Sequence, residues 1–354
     1  MRRTSQRLLT LLLTLVVLVA ACGGGGAQTD DTAGGEEGGG GGREIIRFAF
    51  APDPVWDYLT DTGTLAQWEE DNNLRIHTSA SWDEFTYFAG GHGDIVSMGT
   101  HELPVLEQET EIEVVAFGGY NHQRVPLFRR AEDSYETLAD VPKGSTICVS
   151  SSVSNTIVWS VIADQLHGLD YRVGAGDFNL VVQDHFVMPE LLVRGECEVA
   201  AFIPEAAIPL LRTGEIVQMY GGAQPWQIYR DEICQCDHDG ILSNLMVARA
   251  DWFDENREEA EAFLALWEEG VRLWEENKAE IIGLYPQHFS VEDEADIEFL
   301  IEYMSGTNDW FVDTVYLDED WIEEETKFYQ YMEEGGWLEP GTKIPRFEAI
   351  QPPS

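Results

Sequence analysis

A run of hydroxyl and amide side chains near residue 150 is the part of this chain best suited to hold a ligand. It reads Ser150-Ser151-Ser152-Val153-Ser154-Asn155-Thr156 and lies between a β-type run and a helical pattern. Free backbone N–H groups and the positive end of the dipole attract anions to a helix N-terminus, and hydroxyls add donors. Ser and Asn at such a position are also ordinary helix caps. We expect ligand contacts from four of these residues: Ser151, Ser152, Ser154 and Asn155.

The first 22 residues have the pattern of an export signal. Arg2, Arg3 and Arg7 precede an apolar run of 12 residues from Leu8 to Val19, too short to span a bilayer as a permanent helix. The following Ala-Ala-Cys22 resembles the lipobox of bacterial lipoproteins, in which the cysteine is acylated and becomes the first mature residue. The resemblance implies a protein held by Cys22 on the extracytoplasmic face of the cell membrane. The alternative is a plain signal peptide with an unrelated cysteine.

A glycine-rich segment follows this cysteine. Between Gly23 and Gly42, 11 of 20 residues are glycine and none has a large apolar side chain. Such a segment buries too little surface to offset the entropy of ordering it. We therefore expect a signal peptide over residues 1–21 and a lipidated cysteine with a flexible tether over residues 22–42.

The charge balance limits the possible partners. The chain has 21 basic and 65 acidic residues, a net charge of −44. Nucleic acid needs a basic face and is excluded as a partner. An anionic surface also repels anionic lipids, so the acyl chain at Cys22 would be the membrane contact. About 310 residues follow the tether, which is more than one hydrophobic core usually spans and predicts two lobes.

Short β-type runs alternate with helical patterns along the body of the chain, which is typical of an α/β fold. The runs begin near residues 45, 74, 94, 113, 145, 178 and 199. The carboxyl-terminal third is predicted to be helical. Asp254 precedes a stripe with the spacing of one buried helix face, Phe263, Leu266, Trp267, Val271 and Trp274. Two further helices are expected after Ser290 and from about Trp321 to Glu334.

Several segments, in this order, resemble the nitrate/sulfonate/taurine-type solute-binding proteins of ABC importers. They are Gly93-Asp94-Ile95-Val96-Ser97-Met98-Gly99, Leu127-Phe128-Arg129-Arg130, Thr137-Leu138-Ala139-Asp140-Val141-Pro142-Lys143-Gly144, Gly195-Glu196-Cys197-Glu198-Val199-Ala200-Ala201 and Met246-Val247-Ala248-Arg249. The likeness extends over nearly the whole body. One departure is Ile203-Pro204-Glu205, where the family usually has Trp-Glu-Pro, so ligand identity does not transfer.

The resemblance implies an α/β clamp of the periplasmic-binding-protein type 2 class, with two chain crossovers. Residues 43–128 and 245–354 would form lobe 1, and residues 129–244 would form lobe 2. A small solute, anionic or zwitterionic, would bind between the lobes, where the carboxyl ends of both sets of strands meet. The permease subunits of an ABC importer would be the protein partner.

Lobe 1 offers its own candidate ligand contacts. Ser97, Gly99 and Thr100 stand at a strand-to-helix junction, although Gly99 could serve only a turn. Trp56 follows the first strand, and Tyr120 with Asn121 follows another. Aromatic residues at such positions either wall a cleft or pack within a lobe.

Two residues of lobe 2 suit a ligand with a positive or donor-rich end. His185, next to Asp184, and Glu205 each follow a predicted strand. A carboxylate beside a bound anion would need a cationic partner or a raised pKa. If these side chains face the cleft, the solute resembles an amino-sulfonate or a nitrogen heterocycle; otherwise they lie on the solvent-exposed rim.

Cys148, Cys197, Cys234 and Cys236 can form disulfides in three combinations. A Cys234–Cys236 bond would close a tight ring, so we expect at least one of these two to pair with Cys148 or Cys197. Together with His238 they could also begin a zinc or copper(I) site, but the spacing fits no common zinc pattern. We expect no metal site and no cofactor.

Three functions compete. A solute-binding protein without catalysis fits the resemblance. The same fold branch includes thiamine-pyrimidine synthases, but the chain has no Cys-Cys-Cys cluster, no Gly-x-Ser-x-Gly and no His-Glu-x-x-His, so we expect no enzyme. A ligand sensor for a membrane receptor is indistinguishable from a transport protein by sequence.

Overall fold

The computed structural model describes residues 43–81, 84–306 and 308–353. The predicted signal peptide, Cys22 and the tether lie outside these residues. The body of the chain begins at Arg43.

Eleven strands occur in the described residues. They are β1 Glu44–Phe50, β2 Leu74–Ala80, β3 Ile95–Met98, β4 Val114–His122, β5 Leu127–Arg130, β6 Thr146–Val149, β7 Asn179–Val182, β8 Val199–Ala201, β9 Ile216–Gln218, β10 Leu242–Arg249 and β11 Arg346–Phe347.

The described α-helices are α1 Pro54–Asp61, α2 Thr64–Asp71, α3 Glu84–Ala89, α4 Leu103–Thr110, α5 Asn155–His167, α6 Met188–Val193, α7 Ile208–Thr213, α8 Pro225–Ile228, α9 Ala250–Glu255, α10 Arg257–Leu284, α11 Glu294–Tyr303 and α12 Glu319–Glu334. None of these helices combines the length and the apolar character needed to cross a bilayer.

The strands form two sheets with the same internal plan. The first sheet has the order β11-β4-β10-β3-β1-β2 and the second has the order β7-β6-β8-β5-β9. In the first sheet β10 is antiparallel to β3 and β4, and in the second β5 is antiparallel to β8 and β9. The chain enters the second sheet at β5 and returns to the first at β10. The predicted two-lobed α/β fold with two crossovers is confirmed; lobe 1 and lobe 2 denote these sheets and the helices packed on them.

Helix α10 forms the centre of the lobe 1 core. Its predicted stripe is buried as expected, with each of the five side chains at most 3% exposed. Asp254 lies within α9, and α10 begins three residues later because the φ/ψ angles of Asn256 (−128°, 41°) separate the two helices. Similarly, α11 begins after Asp293 and not after Ser290, which instead ends a 3₁₀ turn in the left-handed conformation.

The carboxyl-terminal helix α12 packs on both lobes. Its first turn is capped by Asp318, whose carboxylate accepts a hydrogen bond from the Trp321 backbone N–H at 2.9 Å. Trp321 lies in an apolar cluster with side chains of β3, α4 and β10. About two and three turns further along the helix, Phe328 and Met332 lie in the cluster that fills lobe 2. Residues 245–354, which were predicted to belong to lobe 1, therefore also contact lobe 2 through α12.

The disulfides differ from the expected pairing. Cys148 is bonded to Cys197, and Cys234 is bonded to Cys236. The expectation that Cys234 or Cys236 would reach one of the other two is wrong. Cys148 lies on β6, and Cys197 leads directly into β8, the parallel neighbour of β6 in the sheet, so these two cysteines are brought together by strand pairing. Cys234 is the last residue of the helical turns after α8, and Cys236 lies two residues further along the chain.

The aromatic packing of α10 generates a stability prediction. Trp267 is fully buried and stacks on Trp56 and Tyr120, with ring centroids 5.2 and 4.6 Å away. Trp267→Ala should lower the free energy of unfolding by about 3–5 kcal/mol, because it removes a large buried side chain and leaves a cavity. The control is Leu284→Ala on the same helix, where the side chain is 55% exposed and the change should stay within about 0.5 kcal/mol. Urea denaturation measures both; equal effects would contradict this packing.

Candidate ligand-binding cleft

A cavity of about 530 Å³ lies between the two lobes, at the carboxyl ends of their strands. Lobe 1 lines it with residues of α3, of the turn after β3 and of α4: Glu84, Phe85, His101, Glu102, Val105 and Glu109. Lobe 2 lines it with residues that follow β6, β7 and β8: Ser150, Ser151, Val153, Ser154, Ile157, Asp184, His185, Phe186 and Ile203. Its volume is in the range that holds a small ligand.

The hydroxyl-rich turn between β6 and α5 forms one wall. Ser151 and Ser154, both expected to contact ligand, line the cavity. Ser154 directly precedes α5 with φ 49° and ψ −133°, a strained conformation for a residue other than glycine. Its side chain makes no capping hydrogen bond to the helix. The N-terminus of α5 therefore borders the cavity, and the Ser154 side chain does not cap it.

Two other residues of this turn are placed differently. Asn155 is buried, and its Oδ1 accepts a hydrogen bond from the Ser150 hydroxyl at 2.9 Å. Its Nδ2 has no hydrogen-bond partner among the described residues. Ser152 is exposed and is not one of the described residues that line the cavity. Contact of these two residues with a ligand stays a prediction.

His185 supplies a hydrogen-bond donor to the cavity wall. The backbone N–H of Ile203 donates to Nδ1 of His185 at 3.2 Å. Burial lowers the pKa of His185 to about 4, so the ring is neutral near pH 7. Because Nδ1 accepts a hydrogen bond in the neutral ring, the proton lies on Nε2. The predicted site residue His185 thus offers an N–H group.

On the lobe 1 side, Gly99 makes room for a histidine that the sequence analysis did not single out. A Cβ at Gly99 would lie 2.5 Å from the His101 ring and 2.8 Å from the backbone oxygen of Ser243. Only glycine fits this approach, so Gly99 acts by positioning His101. Burial lowers the pKa of His101 to about 3, and its Nε2 has no hydrogen-bond partner among the described residues. In the sequence, the Gly99-Thr100 pair, predicted to contact ligand, directly precedes His101 and pointed to this turn.

Thr100 and Ser97 are buried behind this wall and do not belong to the described cavity lining. The Thr100 hydroxyl donates a short hydrogen bond to Glu325 of α12. The other carboxylate oxygen of Glu325 accepts from the Leu242 backbone N–H at 2.9 Å, and the Tyr329 hydroxyl donates to the Thr100 backbone oxygen at 3.0 Å. Helix α12 therefore holds the turn that carries His101.

Trp56 and Tyr120 lie in the core of lobe 1, each 3% exposed, and neither lines the cavity among the described residues. The physical reason is Trp267 of α10, on which both rings stack. The Tyr120 hydroxyl donates to Asp53 at 2.7 Å, and burial raises the pKa of Asp53 to about 6. Asn121 pairs with Phe311 in an isolated β-bridge.

Glu205 joins the two lobes beside the cavity. It is 3% exposed, and Arg124, in the first crossover, donates to it at 2.5 Å. The indole N–H of Trp310 donates to the same oxygen. The Arg124 guanidinium also lies 4.3 Å from the Trp310 ring centroid. The charge of Glu205 is thus balanced within the protein, and Glu205 is not one of the described residues that line the cavity.

The chain was compared with protein families, curated proteins and solved structures. A scan of protein-family models found no match, and neither did a search of curated proteins. Solved structures do match. The periplasmic aliphatic sulphonate binding protein SsuA from Escherichia coli superposes with a TM-score of 0.65 at 13% identity, covering 85% of this chain and 96% of its own. The chain has the periplasmic-binding-protein fold.

Two further structures show the same fold. A ligand binding component of an ABC-type import system from Staphylococcus aureus, with zinc bound, gives a TM-score of 0.60 at 13% identity and covers 86% of this chain and 97% of its own. The periplasmic nitrate-binding protein NrtA from Synechocystis PCC 6803 gives 0.56 at 14% identity, covering 84% and 83%. The type 2 binding-protein architecture expected from the sequence is confirmed.

The buried carboxyl of Glu325 generates a pH prediction. Burial, with a smaller contribution from the Glu324 carboxylate, raises the pKa of Glu325 to about 7 from its usual 4.5. Between these two pH values the folded protein binds more protons than the unfolded chain, so this group's contribution to stability falls as the pH rises. The full loss is about 3 kcal/mol. Glu325→Gln should remove that loss.

Urea denaturation at pH 5 and pH 8 measures the effect. The fall in unfolding free energy from pH 5 to pH 8 should be about 2–3 kcal/mol smaller in Glu325→Gln than in the natural protein. The exposed neighbour Glu323 is the control, and Glu323→Gln should leave the difference unchanged. An identical pH dependence in all three proteins would contradict a buried, proton-binding Glu325.

Proposed function

We propose that this protein is an extracytoplasmic solute-binding lipoprotein that captures a small solute between its lobes and delivers it to the permease subunits of an ABC importer. The observation that carries the proposal is the cavity itself, whose walls come from both lobes. A solute in it contacts both lobes and favours the closed arrangement over the open one. A transport protein needs this coupling between ligand and shape, because the permease has to distinguish loaded from empty protein.

The fold neighbours support this proposal. Their names describe binding of sulphonate, binding of nitrate and a component of an import system. In lobe 2, Ser151, Ser154 and the Nε2–H of His185 can donate to a solute, which suits the anionic group of a zwitterionic ligand, one of the two classes expected from the sequence. No catalytic step is part of the proposal. A ligand sensor would use the same cavity, and importer-dependent uptake of the solute distinguishes the two.

A substitution that fills the cavity tests the site. Val105 lies on α4 and lines the cavity from lobe 1. Val105→Trp should displace the solute, because the larger side chain occupies the space between the lobes. We expect the small molecule released by denaturing the natural protein, purified from its own cells and detected by mass spectrometry, to fall at least tenfold in this variant.

The matched control is Val217→Trp on β9, where the side chain is 37% exposed and outside the described cavity lining. It should release as much solute as the natural protein, and thermal melting should show that both variants fold. Equal recovery from Val105→Trp and Val217→Trp would contradict binding in this cavity. Recovery of no solute from the natural protein would contradict the proposed function itself.

The membrane anchor has its own test. Cys22 is the acylated residue in the proposal, and the acyl chain is the only membrane contact proposed. Cys22→Ala should therefore move the protein from the membrane fraction to the soluble extracytoplasmic fraction, measured by immunoblotting after a high-salt wash. Gly24→Ala is the control and should remain with the membrane. A Cys22→Ala protein that stays in the washed membrane would contradict the lipoprotein assignment.

A further inference from the structure

The charge of the cavity walls defines the solute more closely. We infer that the solute carries a positively charged organic group, such as an ammonium or amidinium, which lies between carboxylates of the two lobes and beside two phenylalanine rings. The inference rests on the proposed function and specifies its ligand class.

Acidic side chains provide all the formal charge of the described lining. Glu84, Glu102 and Glu109 lie on the lobe 1 side, and Asp184 lies on the lobe 2 side. No lysine or arginine is among the described lining residues. The nearby guanidinium of Arg124 is paired with Glu205. Among the described lining residues no cation would balance a wholly anionic solute, whereas a cationic group is attracted by the carboxylates of both walls.

The two histidines of the lining do not change this balance. Burial lowers the pKa of His101 to about 3 and that of His185 to about 4, so both rings are neutral near pH 7. His101 is 3% exposed, and its Nε2 has no hydrogen-bond partner among the described residues. A buried polar atom without a partner is costly, and a solute that supplies one removes that cost.

Aromatic and aliphatic side chains argue for an organic solute and against a bare metal ion. Phe85 of lobe 1 and Phe186 of lobe 2 both line the cavity, together with Val105, Val153, Ile157 and Ile203. Aromatic faces attract organic cations. Among the described residues no three acidic, histidine or cysteine side chains converge closely enough to hold a metal ion. The acidic groups are therefore spread around an apolar space, as a larger cation requires.

Carboxylates on both walls would also couple charge to closure. When the lobes approach, Glu109 and Asp184 bring like charges to one cavity, and their repulsion opposes closing. A cation between them turns this repulsion into attraction by both lobes. A solute that binds the closed state better shifts the equilibrium toward it, and one without positive charge lacks this differential affinity.

Three probes that share a phenylethyl body separate charge from shape: 2-phenylethylammonium, 2-phenylethanol and 2-phenylethanesulfonate. Calorimetric titration of the full-length protein, cleared of bound solute by reversible denaturation, measures each dissociation constant. We expect the ammonium probe to bind at least tenfold more tightly than the alcohol, and the sulfonate more weakly than the alcohol.

A double variant locates the effect in the cavity. Glu109→Gln with Asp184→Asn removes one charge from each wall and should weaken the ammonium probe at least tenfold, while the alcohol changes less than twofold. Glu255→Gln with Glu258→Gln removes the same charge from an exposed surface and should leave the three constants unchanged.

Several results would overturn the inference. They are tighter binding of the sulfonate than of the ammonium probe, no binding of any probe, or equal losses in the two double variants. The proposed function is judged separately, by the solute recovered from the natural protein. A recovered solute that is purely anionic would overturn the cationic class and leave the binding function standing.

Discussion

The buried contact between Glu205, Arg124 and Trp310 links the two lobes beside the cavity. A carboxylate that is 3% exposed is costly unless its charge is balanced. Glu205 belongs to lobe 2, Trp310 to the carboxyl-terminal part of the chain, and Arg124 to the crossover between the sheets. The three side chains meet in the relative position that the lobes have in this structure. The cavity between them, with its two sets of lining residues, depends on that position.

Much of the fold followed from periodicity alone. The predicted runs correspond to strands because each is apolar, short and bounded by turn residues, and the stripe on α10 has the spacing of one helix face. Local sequence patterns do not predict which distant segments pair as neighbouring strands. Cys148 and Cys197 show this, since only the adjacency of β6 and β8 brings them together. The expected disulfide pairing failed for that reason.

The parts of the candidate site that were predicted from the sequence are those formed by one continuous segment of the chain. The turn after β6 was recognised from its hydroxyls, and His185 from its place after a strand. Trp56 and Tyr120 had the same kind of position, but Trp267, more than 140 residues further along the chain, packs both into the core. Phe85 was missed because α3 has only 6 residues and leaves no clear period. Whether an aromatic residue after a strand faces a ligand or a core is decided by distant packing.

Helix α12 has a mechanical consequence. It packs on lobe 1 through Trp321 and on lobe 2 through Phe328 and Met332, and it also holds the turn that carries His101. A rotation of one lobe against the other must therefore shear contacts along a single rigid rod of 16 residues. Tight side-chain packing permits small slides and resists large ones. The helix thus limits how far one lobe can rotate against the other. Because α12 also holds the turn that carries His101, a shift of the helix would move one wall of the cavity.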